Sequence, residues 1–304
     1  MQESLYKYID PGIIHFMIYP ETMSGTGPVY ETLKNIVTDD FFNAVEITHI
    51  EEDEEREKVK KILASSHMQV YYGAQPRLLS SDSDLNSFDS ESRKKAVNII
   101  KDSIDEAVEM GAEAVAFLSG RDVEANRRKE ALEFLVQSLD EICDYAKKKD
   151  ENLNITLEIF DDKVDKKSLI GPAPRAAKLA QKVSRDHKNF GLMADLSHLP
   201  LLGETPRNSL ESIQEHLVHI HIGNCILEES HPAYGDSHPR FGLPAGENDT
   251  KEVIEFLKVL LDMGYLDGEE AETVSFEVKP LEGESPEVVM ANAKRVLQKA
   301  WARL

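Results

Sequence analysis

Residues 217–222 read LVHIHI, and they follow residues 190–196, which read FGLMADL. Both segments are short and mostly apolar, and each carries an ionisable side chain near its end. This is typical of buried strands in a parallel sheet. A similar segment precedes them at residues 153–159 (LNITLEI), and another follows at residues 273–278 (TVSFEV). We therefore predict four consecutive strands in the second half of the chain.

The first half of the chain continues this pattern. Strand-like segments alternate with longer segments whose apolar residues recur at three- and four-residue spacing, which indicates βα units and a parallel sheet. The four further strands are predicted at residues 12–18, 44–48, 68–72 and 113–118, and the helices from about Pro28 and at 51–61, 91–110, 130–149, 174–183, 209–216, 252–263 and 286–302. Eight strands and about eight helices predict one α/β domain over residues 1–304, a parallel (β/α)8 TIM barrel.

An open, doubly wound sheet is the alternative α/β architecture. Such sheets usually carry a glycine-rich phosphate turn after the first strand. Here the first predicted strand leads into Tyr19-Pro20-Glu21, and the sequence contains no G-x-G-x-x-G motif. The closed barrel is therefore favoured.

The composition limits the classes of partner and the compartment. The net charge of −21 repels nucleic acids and anionic membranes, so we expect neither as a partner. The two cysteines, Cys143 and Cys225, are far apart and imply no disulfide framework. The segment Met1–Ser4 lacks the features of a signal peptide, and no apolar run approaches the length of a membrane helix. We expect a cytoplasmic protein.

The four late strands each carry an ionisable group at the carboxyl end. These groups are Glu158, Asp195, the pair His219 and His221, and Glu277. In a closed barrel these ends converge at the C-terminal face, where barrel enzymes bind their substrates. A charge in an apolar strand is costly unless it is paired or bound to a cation. We therefore predict that these side chains form one site.

Two glutamates, one aspartate and one imidazole suit a divalent cation. We predict one such ion, Mn2+, Mg2+, Co2+ or Zn2+, which would polarise a substrate carbonyl and an adjacent hydroxyl together and stabilise an enediolate. The alternative is that the acids are salt-bridged interior groups. Because His219 and His221 face the same side of their strand, one of them could also be a core histidine.

A second polar group lies close by in the sequence. Asp195 is followed by His198 in a D-x-x-H pattern, and the long loop at residues 223–247 contains Asp236 and His238 in a D-x-H pattern. Loop histidines are often simply solvated.

In these residues the sequence resembles the xylose isomerase-like barrel superfamily, which includes the tagatose and psicose 3-epimerases, inosose dehydratases and endonuclease IV repair enzymes. The order of the family motifs is Glu, D-x-x-H, H-x-H, D-x-H and Glu. This chain supplies them as Glu158, Asp195 with His198, His219 with His221, Asp236 with His238, and Glu277. The ordered set is specific, whereas any single motif is weak.

The resemblance implies a role for each of these residues. The metal ligands would be Glu158, Asp195, His221 and Glu277. Glu158 and Glu277 would also act as acid and base on opposite faces of the substrate carbon. His198 and His238 would hold substrate oxygens, with His198 among the catalytic residues, and the activity implied is that of a metal-dependent sugar epimerase or isomerase.

The chain also departs from several members of the superfamily. The predicted third and fourth strands lack the extra histidines of the three-metal endonucleases. Phe160 stands where xylose isomerases carry a lysine, and Asp161, Asp162 and Val164 stand where ketose 3-epimerases carry a further glutamate. These departures make a hydride-shift isomerase and the standard ketohexose substrate doubtful.

Two segments, residues 15–20 and 231–242, resemble the large subunits of bacterial C-glycoside deglycosidases, which cleave 3-oxo-glycosides. Such a lyase is the alternative function, and it would imply a small second subunit as partner. Otherwise we expect a homo-oligomer that acts on a small sugar or glycoside. The predicted substrate contacts are His15, His198, His219, Asp236, His238, Arg240 and Lys279.

Two further hypotheses about the function stay open. Arg121, Arg240 and Lys279 could each meet the phosphate of a phosphorylated substrate, although surface arginines more commonly form ion pairs. A barrel that binds sugar without turning it over is the non-enzymatic alternative. It is disfavoured because a buried cluster of charges is costly to maintain without a use.

Overall fold

The computed structural model describes residues 3–304, so Met1 and Gln2 lie outside the described residues, and with them part of the predicted domain and of the Met1–Ser4 segment. Eight parallel strands form a closed barrel in the order of the sequence. They are β1 (Ile9–Ile14), β2 (Ala44–Ile47), β3 (Gln69–Gly73), β4 (Ala114–Leu118), β5 (Asn154–Glu158), β6 (Phe190–Asp195), β7 (Leu217–Gly223) and β8 (Glu272–Glu277). The predicted (β/α)8 barrel is confirmed.

Helices surround this barrel. They are α1 (His15–Ile18), α2 (Val29–Val37), α3 (Asp53–Ser66), α4 (Gln75–Leu79), α5 (Ser90–Met110), α6 (Arg128–Lys149), α7 (Ala173–Val183), α8 (His198–Leu202), α9 (Pro206–Ile213), α10 (Thr250–Asp262) and α11 (Pro286–Trp301). Short 3-10 turns at Leu5–Lys7, Pro20–Thr22 and Gln214–His216 complete the described elements. Within residues 3–304, no helix is long and apolar enough to cross a membrane.

The long helix α5 shows how the sequence builds these layers. It begins after Asp89, whose side chain accepts a hydrogen bond from the backbone N–H of Glu91. It buries one apolar stripe, which includes Ile100 and Ile104, against the barrel. It ends at Gly111, which has a φ of 73° and so takes the left-handed conformation that glycine tolerates best.

The first predicted strand is wrong in its second half. The prediction covered residues 12–18, but β1 begins three residues earlier, at Ile9, and ends at Ile14, and residues 15–18 form the short helix α1. A short apolar run has no periodicity that separates a buried strand from a buried helix. The misread segment includes Phe16 and Met17, which form a small apolar cluster with Ile14, separate from the main core. The other seven strands agree with prediction to within one residue at each end.

The long loop between β7 and α10 has no regular helix or strand, as predicted, yet its ends are fixed by hydrogen bonds. The Asn248 side chain donates to the carbonyl oxygens of Leu196 (3.2 Å) and Gly223 (3.0 Å). The Asn248 backbone N–H also donates to the Asn224 side chain at 2.8 Å. The loop is thereby held against the carboxyl ends of β6 and β7.

Candidate active site

Four ionisable side chains meet at the carboxyl ends of the last four strands. The strand register brings them together, because Asp195 on β6 pairs directly with His221 on β7, and Gly223 on β7 pairs with Glu277 on β8. Glu158 is the last residue of β5. One ligand atom from each of Glu158, Asp195, His221 and Glu277 lies within 4.8 Å of the others, and all four residues are buried.

His221 lies at the centre of this group. Its Nδ1 lies 2.8 Å from Oε2 of Glu277 and 3.8 Å from Oε1 of Glu158. Its other ring nitrogen, Nε2, lies 2.9 Å from Oε1 of Glu46, which belongs to β2 on the far side of the barrel. The imidazole therefore bridges the strand-end carboxylates to a carboxylate that lies across the barrel interior.

The donor atoms of this group fit a divalent cation. Oε1 of Glu158 and Oδ2 of Asp195 are buried and find no hydrogen-bond partner within residues 3–304. A buried carboxylate oxygen without a partner is costly unless a cation or proton satisfies it. Three carboxylates and one imidazole are ligands that Mn2+, Co2+, Mg2+ and Zn2+ accept. Glu158, Asp195, His221 and Glu277 would hold such an ion.

The surroundings separate the pKa values of the carboxyl groups. Burial, together with the charge of Glu277, raises the pKa of Glu158 to about 8. Burial also raises the pKa of Asp195 to about 6. Burial alone would raise the pKa of Glu277 as well, but the charge of His238 and the hydrogen bond with His221 outweigh it and lower that pKa to about 2. Neighbouring carboxyls with such different pKa values suit an acid and a base.

A second cluster adjoins the first through the loop after β7. Oδ1 of Asp236 lies 3.1 Å from Nε2 of His198 and 3.0 Å from Nε2 of His238. Nε2 of His238 is also 3.3 Å from Oε1 of Glu277. Nδ1 of His198 donates to the carbonyl oxygen of Ile159 at 2.8 Å, which leaves Nε2 directed at Asp236.

The second cluster has two unusual features, a charged pair of buried side chains and a strained backbone conformation. Burial opposes a charged imidazole, but Asp236 outweighs it and raises the pKa of His238 to about 9. His238 has a φ of 50°, a left-handed conformation that non-glycine residues rarely adopt. Its carbonyl oxygen accepts the Lys279 backbone N–H at 2.7 Å, and this bond stabilises that conformation beside β8.

A cavity of about 610 Å³ opens above these groups. Its polar lining residues include a group that we call the floor, namely Glu46, Gln75, Glu158, Lys166, Asp236, His238 and Glu277. Its apolar lining residues, which we call the apolar wall, include Ile14, Phe16, Met17, Pro20, Met23 and Phe160. The volume lies in the range of about 300–1,000 Å³ that is usual for small-molecule sites.

Some predicted site residues do not line this cavity, among them Asp195, His198 and His221, which are buried beneath it. His15 is buried beside α2, where Nε2 lies 2.8 Å from the Thr32 hydroxyl. His219 precedes His221 by two residues, so it lies one layer deeper in the barrel, 2.8 Å from Glu46. Arg240 pairs with Glu284 at 2.8 Å. By contrast, Lys279, a predicted substrate contact, is one of the residues that line the cavity.

Several polar residues of the cavity escaped the sequence analysis, and three of them contact the two clusters. Glu46 is an acid inside the apolar strand β2, the same signal that identified Glu158 and Glu277. Gln75 begins α4 and donates from Nε2 to Oε2 of Glu158 at 2.8 Å. Lys166 lies on the loop after β5, with Nζ 3.1 Å from Oδ2 of Asp236. No sequence pattern distinguishes Gln75 or Lys166, because their positions depend on loop conformation.

The Lys166 loop is ordered by one buried carboxylate. Asp161 accepts backbone N–H groups from four successive residues, 163–166, at 2.5 to 3.0 Å. Asp161 is fully buried, and its charge is satisfied by these donors. The loop therefore presents Lys166 to Asp236 from a fixed backbone.

Residues 40–298 match the family model described as xylose isomerase-like TIM barrel. A search of curated proteins finds no match to the sequence. Solved structures match over almost the whole chain. An L-ribulose 3-epimerase superposes with a TM-score of 0.72 at 18% identity, covering 97% of this chain and 96% of that one.

Two further structures show the same architecture. A D-tagatose 3-epimerase-like protein has a TM-score of 0.70 at 20% identity and covers 97% of this chain and 99% of its own. The 3-keto-D-glucoside 4-epimerase YcjR from E. coli has a TM-score of 0.65 at 14% identity, with coverages of 95% and 99%. At these identities the likeness shows the fold alone.

Proposed function

The chain belongs to the xylose isomerase-like TIM barrel family, and from this premise we propose that it is a divalent-metal-dependent sugar epimerase or isomerase that moves a proton next to a carbonyl. The observation that carries the proposal is the pair Glu158 and Glu277. Both carboxylates line the cavity floor, and they stand three strands apart around the barrel, on β5 and β8. A sugar carbon held between them would meet a carboxyl group on each side.

These two residues would transfer the proton. Glu277, the carboxyl with the lowered pKa, would take the proton from the carbon next to the carbonyl. Glu158, whose pKa is raised, would return a proton to the opposite face of the resulting enediolate. Return to the opposite face inverts the carbon, which is epimerisation.

The cation would supply the electrophile. An ion bound by Glu158, Asp195, His221 and Glu277 would polarise the carbonyl and stabilise negative charge on its oxygen. Mn2+ is our first choice because the ligands are mostly oxygens with one imidazole, and Co2+, Mg2+ and Zn2+ are the alternatives. Several of the structures with this fold are named as sugar 3-epimerases, which supports the reaction type.

The second cluster would orient the sugar. His198 and His238 direct Nε2 atoms toward Asp236, so the three groups form a network of donors and acceptors for adjacent hydroxyls. Lys166 adds a cationic donor beside the same aspartate. Lys279, at the rim of the cavity, would contact a more distant oxygen of the substrate.

A second function, cleavage of a 3-oxo-glycoside, is favoured by the apolar wall. Phe16, Met17 and Met23 line one side of a cavity that exceeds the size of a free monosaccharide, and they would suit an apolar aglycone. The same first step, removal of the proton next to the carbonyl, would then be followed by breakage of the bond to the aglycone, which leaves with a proton. One of the structures with this fold is named for a 3-keto-D-glucoside. In this case a small second subunit would be the partner.

The test is solvent exchange. The Mn2+-loaded protein is incubated in D2O with ketopentoses, ketohexoses and 3-oxo-glucosides, and each sugar is followed by proton NMR. We expect the signal of one hydrogen next to the carbonyl to disappear on at least one sugar, with formation of its epimer. Release of aglycone would instead identify the lyase. Binding without exchange on any sugar would leave only the non-catalytic barrel.

A further inference from the structure

Glu46 links the barrel interior to the proposed cation site. It lies on β2 and is 1% exposed, and its carboxylate reaches the His221 ring of β7 through the barrel interior. A single oxygen, Oε1, lies 2.9 Å from Nε2 of His221 and 2.8 Å from Nε2 of His219. A carboxylate accepts hydrogen bonds and does not donate them, so both contacts require a proton on the imidazole Nε2.

This arrangement determines which nitrogen of His221 is available. A metal-bound neutral imidazole carries one N–H, and Glu46 would hold that proton on Nε2. Nδ1 faces the strand-end carboxylates, 2.8 Å from Glu277, to which it donates a hydrogen bond, and 3.8 Å from Glu158. A cation bound by these groups would take the place of the Nδ1 proton. A metal-binding histidine commonly donates its second N–H to a carboxylate, which fixes its tautomer and ring orientation.

We propose that Glu46 is a positioning residue, which fixes the His221 tautomer so that Nδ1 is the ligand atom, and that His219 is the second donor that holds Glu46 in place. The inference rests on the cation site of the proposed function. In this proposal His219 donates a hydrogen bond to Glu46, whereas the sequence predicted that His219 contacts the substrate. The ring of His219 packs against Tyr71 at a centroid distance of 4.6 Å, which fixes its orientation on the Glu46 side.

The chain offers a matched control for this proposal. Glu106 on α5 is also a buried glutamate, 8% exposed, that accepts from a histidine, with Oε2 at 2.7 Å from Nδ1 of His49. It makes no contact with the four proposed ligands. A Glu106→Gln variant therefore tests whether the loss of any buried carboxylate–histidine pair has the same effect as the loss of Glu46.

The experiment measures Mn2+ affinity and the His221 tautomer. Free Mn2+ is titrated by electron paramagnetic resonance against the wild type, Glu46→Gln and Glu106→Gln. We expect Glu46→Gln to weaken Mn2+ binding by about 10- to 100-fold, as is usual when such a partner is lost. We expect Glu106→Gln to bind Mn2+ as the wild type does.

Nitrogen-15 NMR of histidine-labelled, Zn2+-loaded wild type gives the second readout and does not depend on any variant folding. We expect His221 to show a protonated Nε2 and an unprotonated, metal-bound Nδ1. Equal Mn2+ affinity in Glu46→Gln and wild type, or coordination of Zn2+ through Nε2 of His221, would overturn the inference while the proposed function stands. A wild type that binds neither ion would overturn both.

Discussion

Glu277 is the residue on which the proposed chemistry depends most. It combines a cavity-facing carboxylate, a lowered pKa and contacts with both His221 and His238. Glu277→Gln retains the shape of the side chain but removes the base, so we expect hydrogen exchange on the active sugar to fall by about 10²- to 10⁴-fold. Rates of deuterium incorporation compared between the variant and the wild type measure this.

Glu284 provides the control for that substitution. It follows β8 a few residues later and pairs with Arg240, outside the cavity. Its pair with Arg240 is partly exposed, and such pairs contribute about 0–1 kcal/mol to stability. Glu284→Gln should therefore exchange hydrogen at nearly the wild-type rate, and an equal loss in both variants would rule out a specific role for Glu277.

Individual residues of the site were predictable to different degrees. The charge of Glu158, Asp195, His221 and Glu277 in apolar strands is visible in the sequence, and the period of the strands predicts which way the side chains point. Glu46 carries the same signal but lies 175 residues before His221 in the sequence, and only barrel closure brings the two together. Lys166 depends on the loop ordered by Asp161, for which the sequence offers no pattern.

Among the secondary-structure elements, the ends of β7 and β8 approach closely at Gly223. A Cβ atom at this position would lie 2.6 Å from the backbone carbonyl oxygen of Glu277 and 3.1 Å from Nδ1 of His238. Because one neighbour is backbone, the strand end would have to move. We expect Gly223→Ala to cost about 1–3 kcal/mol of stability and to weaken Mn2+ binding, as measured by urea denaturation and metal titration. Unchanged Mn2+ affinity would show that the strand end tolerates the extra methyl group.

The helix α5 is tied to the segment after β2 by Glu106. Its carboxylate accepts hydrogen bonds from the Ile50 backbone N–H (2.8 Å), the Tyr72 hydroxyl (2.9 Å) and His49. Burial favours the neutral acid, but these donors outweigh it and lower the pKa of Glu106 in the folded protein. A lowered folded-state pKa means that this stabilisation is complete above the ordinary pKa of glutamate and is lost as the pH falls through the lowered value.

We therefore expect Glu106→Gln to reduce the free energy of unfolding by about 1–3 kcal/mol at pH 7, since a buried charged hydrogen-bond network is lost. Urea denaturation of both proteins at several pH values checks this. The difference between variant and wild type should shrink as the pH falls below the ordinary glutamate pKa. A difference that is the same at pH 7 and at pH 3 would mean that the charge of Glu106 contributes nothing.

The strands and the long helices were predicted more reliably than the short helices that follow strands at the barrel mouth. Apolar strands and long amphipathic helices such as α5 and α6 carry strong periodic signals. The short helices α1, α4 and α8 were missed, because helices of four or five residues have no stable periodicity and form only through contacts with the rest of the fold. These missed helices follow β1, β3 and β6 directly, so they surround the site.

For the whole molecule, the net charge of −21 has a direct consequence. Phosphate backbones would be repelled over most of the surface, and the floor of the cavity adds further carboxylates. We expect no binding to duplex DNA that contains an abasic site, even though repair endonucleases share the fold. Fluorescence anisotropy at about 0.15 M salt tests this. Saturable binding there would indicate a basic groove that the charge distribution does not suggest.

The ends of four strands, β5 to β8, form the proposed cation site. Elemental mass spectrometry of the purified protein, with Asp195→Ala beside it, measures whether a metal ion is bound there. We predict about one equivalent of Mn, Co, Mg or Zn in the wild type and a large loss of metal in the variant, because Asp195 joins the ligands on β6 and β7. A wild type that holds no metal even after incubation with Mn2+ would contradict the account and leave the buried cluster as a structural network of acids and histidines.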